Sequence, residues 1–253
     1  MKALVTGASS GIGRDMAKYL GRMGCDLILV ARDEKGLKKV AKDIKTETRI
    51  IATDLSDVDN CKKLYNKVKK DDIDILINNA GFGTFGQFTK TDLDKELNMI
   101  DLNIKAVHIL TKLFLKDMKA KDHGYILNVA SSAAFQPGPL MAAYYSTKAY
   151  ILRLTTAIYE ELRRESSNVV ISVLCPGPVE TNFNNVANVE FQLKSSPSNY
   201  VAKYGIDNMF KKKLIIIPSL YMKILYIFSR ISSTKMILKI SYNIQQRKGG
   251  KNK

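Results

Sequence analysis

The chain opens on a short apolar run, Lys2 to Thr6, that breaks into Gly7, Gly11 and Gly13 with the spacing T-G-x-x-x-G-x-G. Behind the glycines, Ile12, Met16, Leu20 and Met23 recur at helical intervals. A strand, a glycine turn and a helix start, in that order, leave few folds open. The turn has the geometry that receives a dinucleotide pyrophosphate. Glycines let backbone come close, and the helix end offers unpaired N–H groups and positive potential. Ser9 and Ser10 add hydroxyl donors in the same turn. Three glycines alone would make only a loop; the strand before and the helix after supply the context the motif requires.

Further along, LILVA (27–31), IDILI (73–77) and VVISVLC (169–175) are continuously apolar or nearly so. Strands covered on both faces read this way, as in a parallel sheet between helices. Strands are predicted near 2–6, 26–31, 49–53, 73–78, 124–130, 169–175 and 214–217. Helices fill the intervals, including a long one over roughly 93–120 and another over about 140–165. This alternation predicts an α/β fold, a doubly wound parallel sheet. The 253 residues suffice for one such domain with a full core. No internal repeat, low-complexity segment or linker marks a second domain. The expected organisation is a Rossmann-fold catalytic domain over 1–218 and a basic C-terminal extension over 219–253 that packs on it.

Within the second long helix, Tyr144 and Lys148 stand four residues apart, and Ser131 lies thirteen residues before the tyrosine. Positions i and i+4 are stacked neighbours on a helix. A phenol with a pKa of about 10 needs roughly 4 kcal/mol to fall by ~3 units. A unit charge about 4 Å away supplies on the order of 4 kcal/mol at an effective dielectric constant near 20. The pair therefore predicts a tyrosine that exchanges a proton near neutrality. Tyr145 and Ser132 repeat the Ser131–Tyr144 separation, so the serine spacing leaves two tyrosines in play.

TGASSGIG (6–13), Asp54-Leu55, NNAG (78–81), Asn103, Ser131, the Y-x-x-x-K of Tyr144 and Lys148, and PGPVET (176–181) together resemble the short-chain dehydrogenase/reductase superfamily, in its single-domain branch. The resemblance runs from Met1 to about Pro218. The last 35 residues resemble, more loosely, the basic tail of a ketoacyl reductase-like bacterial subgroup. The family's lysine follows its tyrosine by four residues, which selects Tyr144 over Tyr145. The resemblance implies Tyr144 as general acid in carbonyl reduction and base in alcohol oxidation, with Ser131 hydrogen-bonding the substrate oxygen. It gives Lys148 the nicotinamide ribose and the tyrosine pKa, and Asn103 a water that links the lysine to solvent. For the cofactor it implies Gly7, Ser9, Ser10, Gly11, Ile12 and Gly13 at the pyrophosphate, and Asp54 and Leu55 at the adenine. Asn79, Ala80 and Gly81 fall at the adenine ribose, and Pro176, Gly177, Val179 and Thr181 at the carboxamide.

Cofactor choice turns on the end of the second strand, LILVARDEKGL. NAD-preferring members carry an aspartate where Ala31 stands; here Arg32 follows instead. A guanidinium pairs bidentately with a 2′-phosphate. Asp33 is expected to cap the helix that starts near Glu34. NADP(H) is therefore favoured over NAD(H), although Ser10 occupies a place where NADP enzymes of the family carry a basic residue.

The reaction expected is reversible, NADPH-dependent reduction of a ketone or aldehyde to an alcohol. A catalytically quiet NADP(H)-binding protein that docks on a membrane or partner is the alternative, and a sugar-nucleotide epimerase a third reading, disfavoured by its larger C-terminal domain. Phe183, Phe191 and Leu193, in the segment expected to meet the substrate (about 182–200), allow apolar, lipid-like carbonyl compounds. Cys25, Cys61 and Cys175 show no metal or redox spacing, which suits a cytoplasmic chain, and no metal site is expected. The first strand begins at residue 2, leaving no room for a signal peptide.

Charge is uneven: residues 201–253 carry twelve Lys/Arg against Asp207 alone, leaving +5 of the formal +16 on the first 200 residues. No stacking platform accompanies this charge, so nucleic acid is not an expected partner. The tail's LIIIPSLYMKILYIFS is too short and too interrupted to span a bilayer. Peripheral contact with the inner membrane surface stays open. If 219–247 form one helix, Leu220, Ile224, Ile227 and Phe228 share a face, which is expected to pack on the catalytic domain. The family resemblance implies a homo-dimer or tetramer that pairs the two long helices across a two-fold axis, and apolar residues on 93–120 and 140–165 in excess of one sheet face agree with it.

Overall fold

The computed structural model describes residues 1–181, 183 and 195–246. A parallel sheet of seven strands runs through them: β1 (Lys2–Thr6), β2 (Asp26–Ala31), β3 (Thr48–Ala52), β4 (Ile75–Asn78), β5 (Tyr125–Val129), β6 (Val170–Leu174) and, after two short strands, β9 (Ile215–Ile216). Their order across the sheet is β3-β2-β1-β4-β5-β6-β9. Strand order reverses beside β1, so a crevice opens between the carboxyl ends of β1 and β4, where doubly wound sheets hold ligands. The short strands β7 (Val179–Glu180) and β8 (Ser196–Pro197) pair parallel beyond the main sheet and were not expected.

Alternation along the strands divides the core. Val5, Ile77, Leu127 and Leu174 pack on Met16 and Leu20 of α1 (Gly11–Arg22) and on Ile206 and Met209. Leu4, Leu76, Ile126 and Ile171 face the other way, toward Leu64 and Phe114. Between these strands come α2 (Glu34–Lys42), α3 (Val58–Val68), α4 (Leu93–Ile100), α5 (Val107–Ala120), α6 (Ala142–Arg164) and α7 (Ser198–Phe210). Burying one such Leu or Ile contributes about 1.5–3 kcal/mol, which is why both faces must be covered. β1 and β2 have the expected ends, and the other expected strands differ by a residue or two. Asp33, Asp57 and Asp92 cap α2, α3 and α4 by accepting from Gly36, Asp59 and Lys95 N–H groups.

Two expected helices are corrected. The helix over 93–120 is interrupted: Asp101–Ala106 form a π turn between α4 and α5. The tail is two helices, α8 (Leu220–Ile231) and α9 (Thr234–Gln246), with residue 247 outside the described residues. Ser232 is extended, and the Ser233 hydroxyl accepts from Met236 N–H at 3.4 Å. A serine that binds its own following backbone starts a new helix rather than continuing the old one. The face formed by Leu220, Ile224, Ile227 and Phe228 is exposed, not packed. Met222, with Leu225 and Tyr226 beside it, meets the domain instead, near Phe135 and Ile217. Because α8 is apolar nearly all round, its periodicity could not say which side turns inward.

Candidate active site

A cleft of about 630 Å³ opens over the carboxyl ends of the strands. Its first half is the turn after β1. Gly7 adopts φ +65°, and a Cβ there would stand 2.7 Å from Asn79 Nδ2 and 2.9 Å from Ala80 Cα. Only glycine fits such an approach at positive φ. Asn79 Nδ2 donates to Thr6 O at 3.1 Å, and the Thr6 hydroxyl accepts from Asn79 and Ala80 N–H groups, tying the end of β4 to the turn. Ser9, Ser10, Gly11 and Ile12 line the cleft. Gly13 does not; a Cβ there would stand 2.3 Å from Gly7 O, so its role is to let α1 close on the turn. Ser10 precedes α1 without spending its side chain on a cap, so the first-turn N–H groups of α1 lack that partner.

Arg32 and Asp54 stand together on the rim, Nη1 to Oδ2 3.5 Å, with the Arg32 side chain 64% exposed. Asp54 also accepts from the N–H and hydroxyl of Ser56 at 2.9 and 2.8 Å, and these bonds hold its carboxyl below the usual carboxylate range against partial burial. Leu55, Ala80 and Gly81 complete that wall, and Pro176, Gly177, Val179 and Thr181 the opposite one.

Ser131, Tyr144 and Lys148 converge on the second half of the cleft. Ser131, two residues past the end of β5, is extended; its hydroxyl accepts from Ala133 N–H at 3.1 Å and faces the Tyr144 phenol across the cleft wall. Lys148, one turn further along α6, donates from Nζ to Val129 O at 3.1 Å and lies 5.9 Å from the Tyr144 ring centre. Asn103 does not line the cleft. Buried in the π turn, it donates to Phe82 O at 2.9 Å and to Thr147 Oγ1 at 3.1 Å, and its Oδ1 accepts from Phe82 N–H. A Cβ on Gly81 would stand 2.8 Å from Asn103 Oδ1 and 3.3 Å from Lys148 Nζ, which measures how tightly the three meet. π turns recur at functional positions because they re-aim one side chain.

The expected depression of the Tyr144 pKa is not found. Burial pushes the phenol above its ordinary value, and the Ser131 hydrogen bond only opposes this. The same burial pulls Lys148 down to about 8. Desolvation disfavours both charged forms and is the largest cause of each shift. Tyr145 also borders the cleft, but its hydroxyl takes a hydrogen bond from Gln245 of α9, and burial raises it to about 12.

Sequence reasoning missed part of the cleft. Phe135, Gln136, Met141 and Tyr145 line it unforeseen, whereas Tyr221, Met222, Leu225 and Ile244 line it from the tail, whose apolar segment was expected to be able to extend the cleft. Phe183 packs on Tyr144 at 5.3 Å between ring centres, whereas Phe191 and Leu193 lie outside the described residues. A buried chain also went unforeseen, in which Asn78 Nδ2 bonds Thr111 and Asn128, and Asn128 bonds Thr155, pinning β4 and β5 to the helices beneath the site. Cys25, Cys61 and Cys175 are buried free thiols. Among the described residues, no three His, Cys, Asp or Glu side chains gather as metal ligands would, and no helix is long and apolar enough to cross a membrane.

This arrangement, a glycine turn facing a Ser-Tyr-Lys wall, has known relatives. Residues 1–190 match the family model of the short chain dehydrogenases. An uncharacterized oxidoreductase of Staphylococcus epidermidis is 33% identical over 181 residues, covering 71% of this chain and 78% of that protein. The very-long-chain 3-oxoacyl-CoA reductase-A of Danio rerio is 33% identical over 208 residues, covering 79% of this chain and 64% of that longer protein. A short-chain dehydrogenase from Sphingobium yanoikuyae, solved in complex with NADPH, superposes with a TM-score of 0.82 at 26% identity, covering 90% of this chain and 91% of that one. The chain belongs to the short chain dehydrogenase family and is an oxidoreductase of that family.

Proposed function

We propose that this chain is an NADP(H)-dependent carbonyl reductase that converts an apolar, lipid-like ketone or aldehyde to the alcohol, reversibly. The observation that carries the reading is the convergence of Ser131, Tyr144 and Lys148 on a cleft whose other half is the Gly7 turn and the α1 N-terminus. A nicotinamide dinucleotide fits this cleft: the Gly7 cradle would be filled by a Cβ, and the first turn of α1 suits a pyrophosphate. When bound, the cofactor supplies the hydride. Arg32 stands where a 2′-phosphate would need a cation, and Asp33 is committed to its cap, 3.0 Å from Gly36 N. The NADPH complex of the Sphingobium protein supports the same choice.

Ser131 and Tyr144 share the task of receiving the carbonyl oxygen. The serine hydroxyl donates to that oxygen as negative charge develops, and the tyrosine donates the proton that completes the alcohol. A phenol raised by burial stays protonated at neutral pH, which favours the reductive direction. Lys148 holds the ribose hydroxyls, and Asn103 keeps the Phe82 loop and Lys148 in register. Phe135, Phe183 and Leu225 give the substrate end an apolar lining, and the acyl substrate named for the Danio relative points to the same class. The assembly we propose is a homo-dimer or tetramer through α4 to α6, where Leu93, Leu97 and Tyr150 are exposed. NADPH consumption against a panel of ketones and aldehydes of increasing chain length tests the reading: turnover rising with chain length supports it, and no turnover across the panel rejects it.

A further inference from the structure

The outer side of the tail carries an apolar surface that the fold leaves uncovered. On α8, Leu220, Ile224, Ile227, Phe228 and Ile231 fall within one arc, and Leu220 and Ile231 are 72% and 79% exposed. On α9, Met236 and Ile240 are exposed on one flank of its buried stripe, with Leu238 and Tyr242 on the other. Isolated exposed apolar residues are ordinary, but a contiguous group of this size marks an interaction site.

Charge selects the occupant. Residues 219–246 contain Lys223, Arg230, Lys235 and Lys239 and no acid, and the sequence continues with Arg247, Lys248, Lys251 and Lys253. Lys223 and Arg230 fall beside the apolar arc of α8 at helical spacing. A second copy seated there by two-fold symmetry would bring these like charges together. An anionic lipid surface complements both features, taking apolar side chains at the acyl boundary and ammonium and guanidinium groups among the headgroups. Neither helix is long enough to cross a bilayer, so each would lie in its surface.

We infer that α8 and α9 dock this protein on an anionic membrane surface through Leu220, Ile224, Ile227, Phe228 and Ile231, with the bordering lysines and arginine on the headgroups. Tyr221, Leu225 and Ile244 of the same two helices line the cleft. The docked face therefore borders the substrate entrance, a consequence that rests on the proposed reductase reading, whereas the docking does not.

Co-sedimentation of the full chain with phosphatidylcholine vesicles containing 30% phosphatidylglycerol, at physiological salt and without turnover, reads the docking alone. Expected is binding to these vesicles at least tenfold tighter than to pure phosphatidylcholine, weakening as salt rises. The variant Ile224→Ser/Ile227→Ser/Ile231→Ser, none of whose positions lines the cleft, should bind at least tenfold more weakly with an unchanged melting temperature. Lys235→Gln/Lys239→Gln should flatten the salt dependence. No sedimentation of the intact chain, or equal binding by the isoleucine variant, overturns the inference. So does light scattering in which that variant is a monomer and the parent a dimer while vesicle binding is unchanged, since the face would then join two copies.

Discussion

Asn103 grips the backbone of Phe82 from both sides, Nδ2 donating to its carbonyl at 2.9 Å and Oδ1 accepting from its N–H at 3.1 Å. This grip sets the loop after β4 against Gly81 and Lys148. In Asn103→Ala both Phe82 groups lose their partners, at about 1–3 kcal/mol for each buried group left unsatisfied. Thermal unfolding should shift down by roughly 5–15 °C at the conversion expected for a chain of this size. Turnover should fall more than tenfold. Asn103→Asp should recover little, because a carboxylate accepts from Phe82 N–H but cannot donate to its carbonyl. Full activity in either variant would sink the positioning role.

Tyr144 and Tyr145 are adjacent and chemically identical, yet they are committed differently: Tyr144 lines the cleft with Ser131 and Lys148, and the Tyr145 hydroxyl accepts from Gln245 of the tail. Tyr144→Phe should therefore lower turnover by about 10²–10⁴, the range for losing a positioned proton donor. NADPH binding, read by fluorescence titration, should stay within a few-fold. Tyr145→Phe should keep turnover and lower the melting temperature by releasing α9. The reverse pattern would show that Tyr145 is the acid.

Buried Lys148, held at about 8, gives two pH effects of opposite sign. As pH rises through about 8, its ammonium loses its proton, so NADPH affinity and reductive turnover should both decline. Stability moves the other way. The unfolded chain binds this proton up to the ordinary lysine pKa of 10.5, so between about 8 and 10.5 it holds more protons than the folded chain. Lys148 therefore costs stability below about 8, and that cost is relieved as pH rises through the window. Its size is on the order of 3 kcal/mol at ~1.4 kcal/mol per unit. Lys148→Met should be inactive and yet melt at a higher temperature at pH 7. A lower melting temperature for that variant would mean the Val129 hydrogen bond outweighs desolvation.

Among the described residues Arg32 is ion-paired with Asp54 alone, at 3.5 Å, and is largely exposed, so its removal should leave the fold intact. Arg32→Ala should weaken NADPH binding at least tenfold and NADH binding less than twofold, because only NADPH carries the 2′-phosphate. Equal losses in parallel titrations would reduce Arg32 to a surface residue.

Much of this was legible beforehand because burial leaves a mark on composition. ILIN and VISVL must be mostly apolar to lie between two helix layers, with Asn78 and Ser172 as buried polar exceptions, and the Gly7 turn has no substitute for its positive φ. The π turn at Asn103 was not legible, since the periodicity of 93–120 survives one wider turn. Nor was the Tyr144 pKa: spacing names the neighbouring lysine but not the protein packed around both groups, and here desolvation decides the sign. The tail failed for a third reason. With apolar residues on nearly every side of α8, only the shape of the domain could choose Met222 as the buried side.

That choice gives the tail a stability role that truncation measures. Met222 and Ile237 are buried, Ser241 donates to Pro137 O at 3.1 Å, and Gln245 reaches Tyr145 beside the proposed acid. Removing everything after Pro218 uncovers the Phe135 side of the cleft and leaves the Tyr145 hydroxyl without its partner. Losing one buried Met and one buried Ile side chain costs about 3–6 kcal/mol by transfer alone. The melting temperature should drop by roughly 6 °C or more, at about 2–4 °C per kcal/mol. NADPH affinity should change little, because the Gly7 turn and Arg32 lie on the other half of the cleft. The Michaelis constant for long-chain ketones should rise while that for short ones holds. An unchanged melting temperature after truncation would show that α8 and α9 rest on the domain without stabilising it.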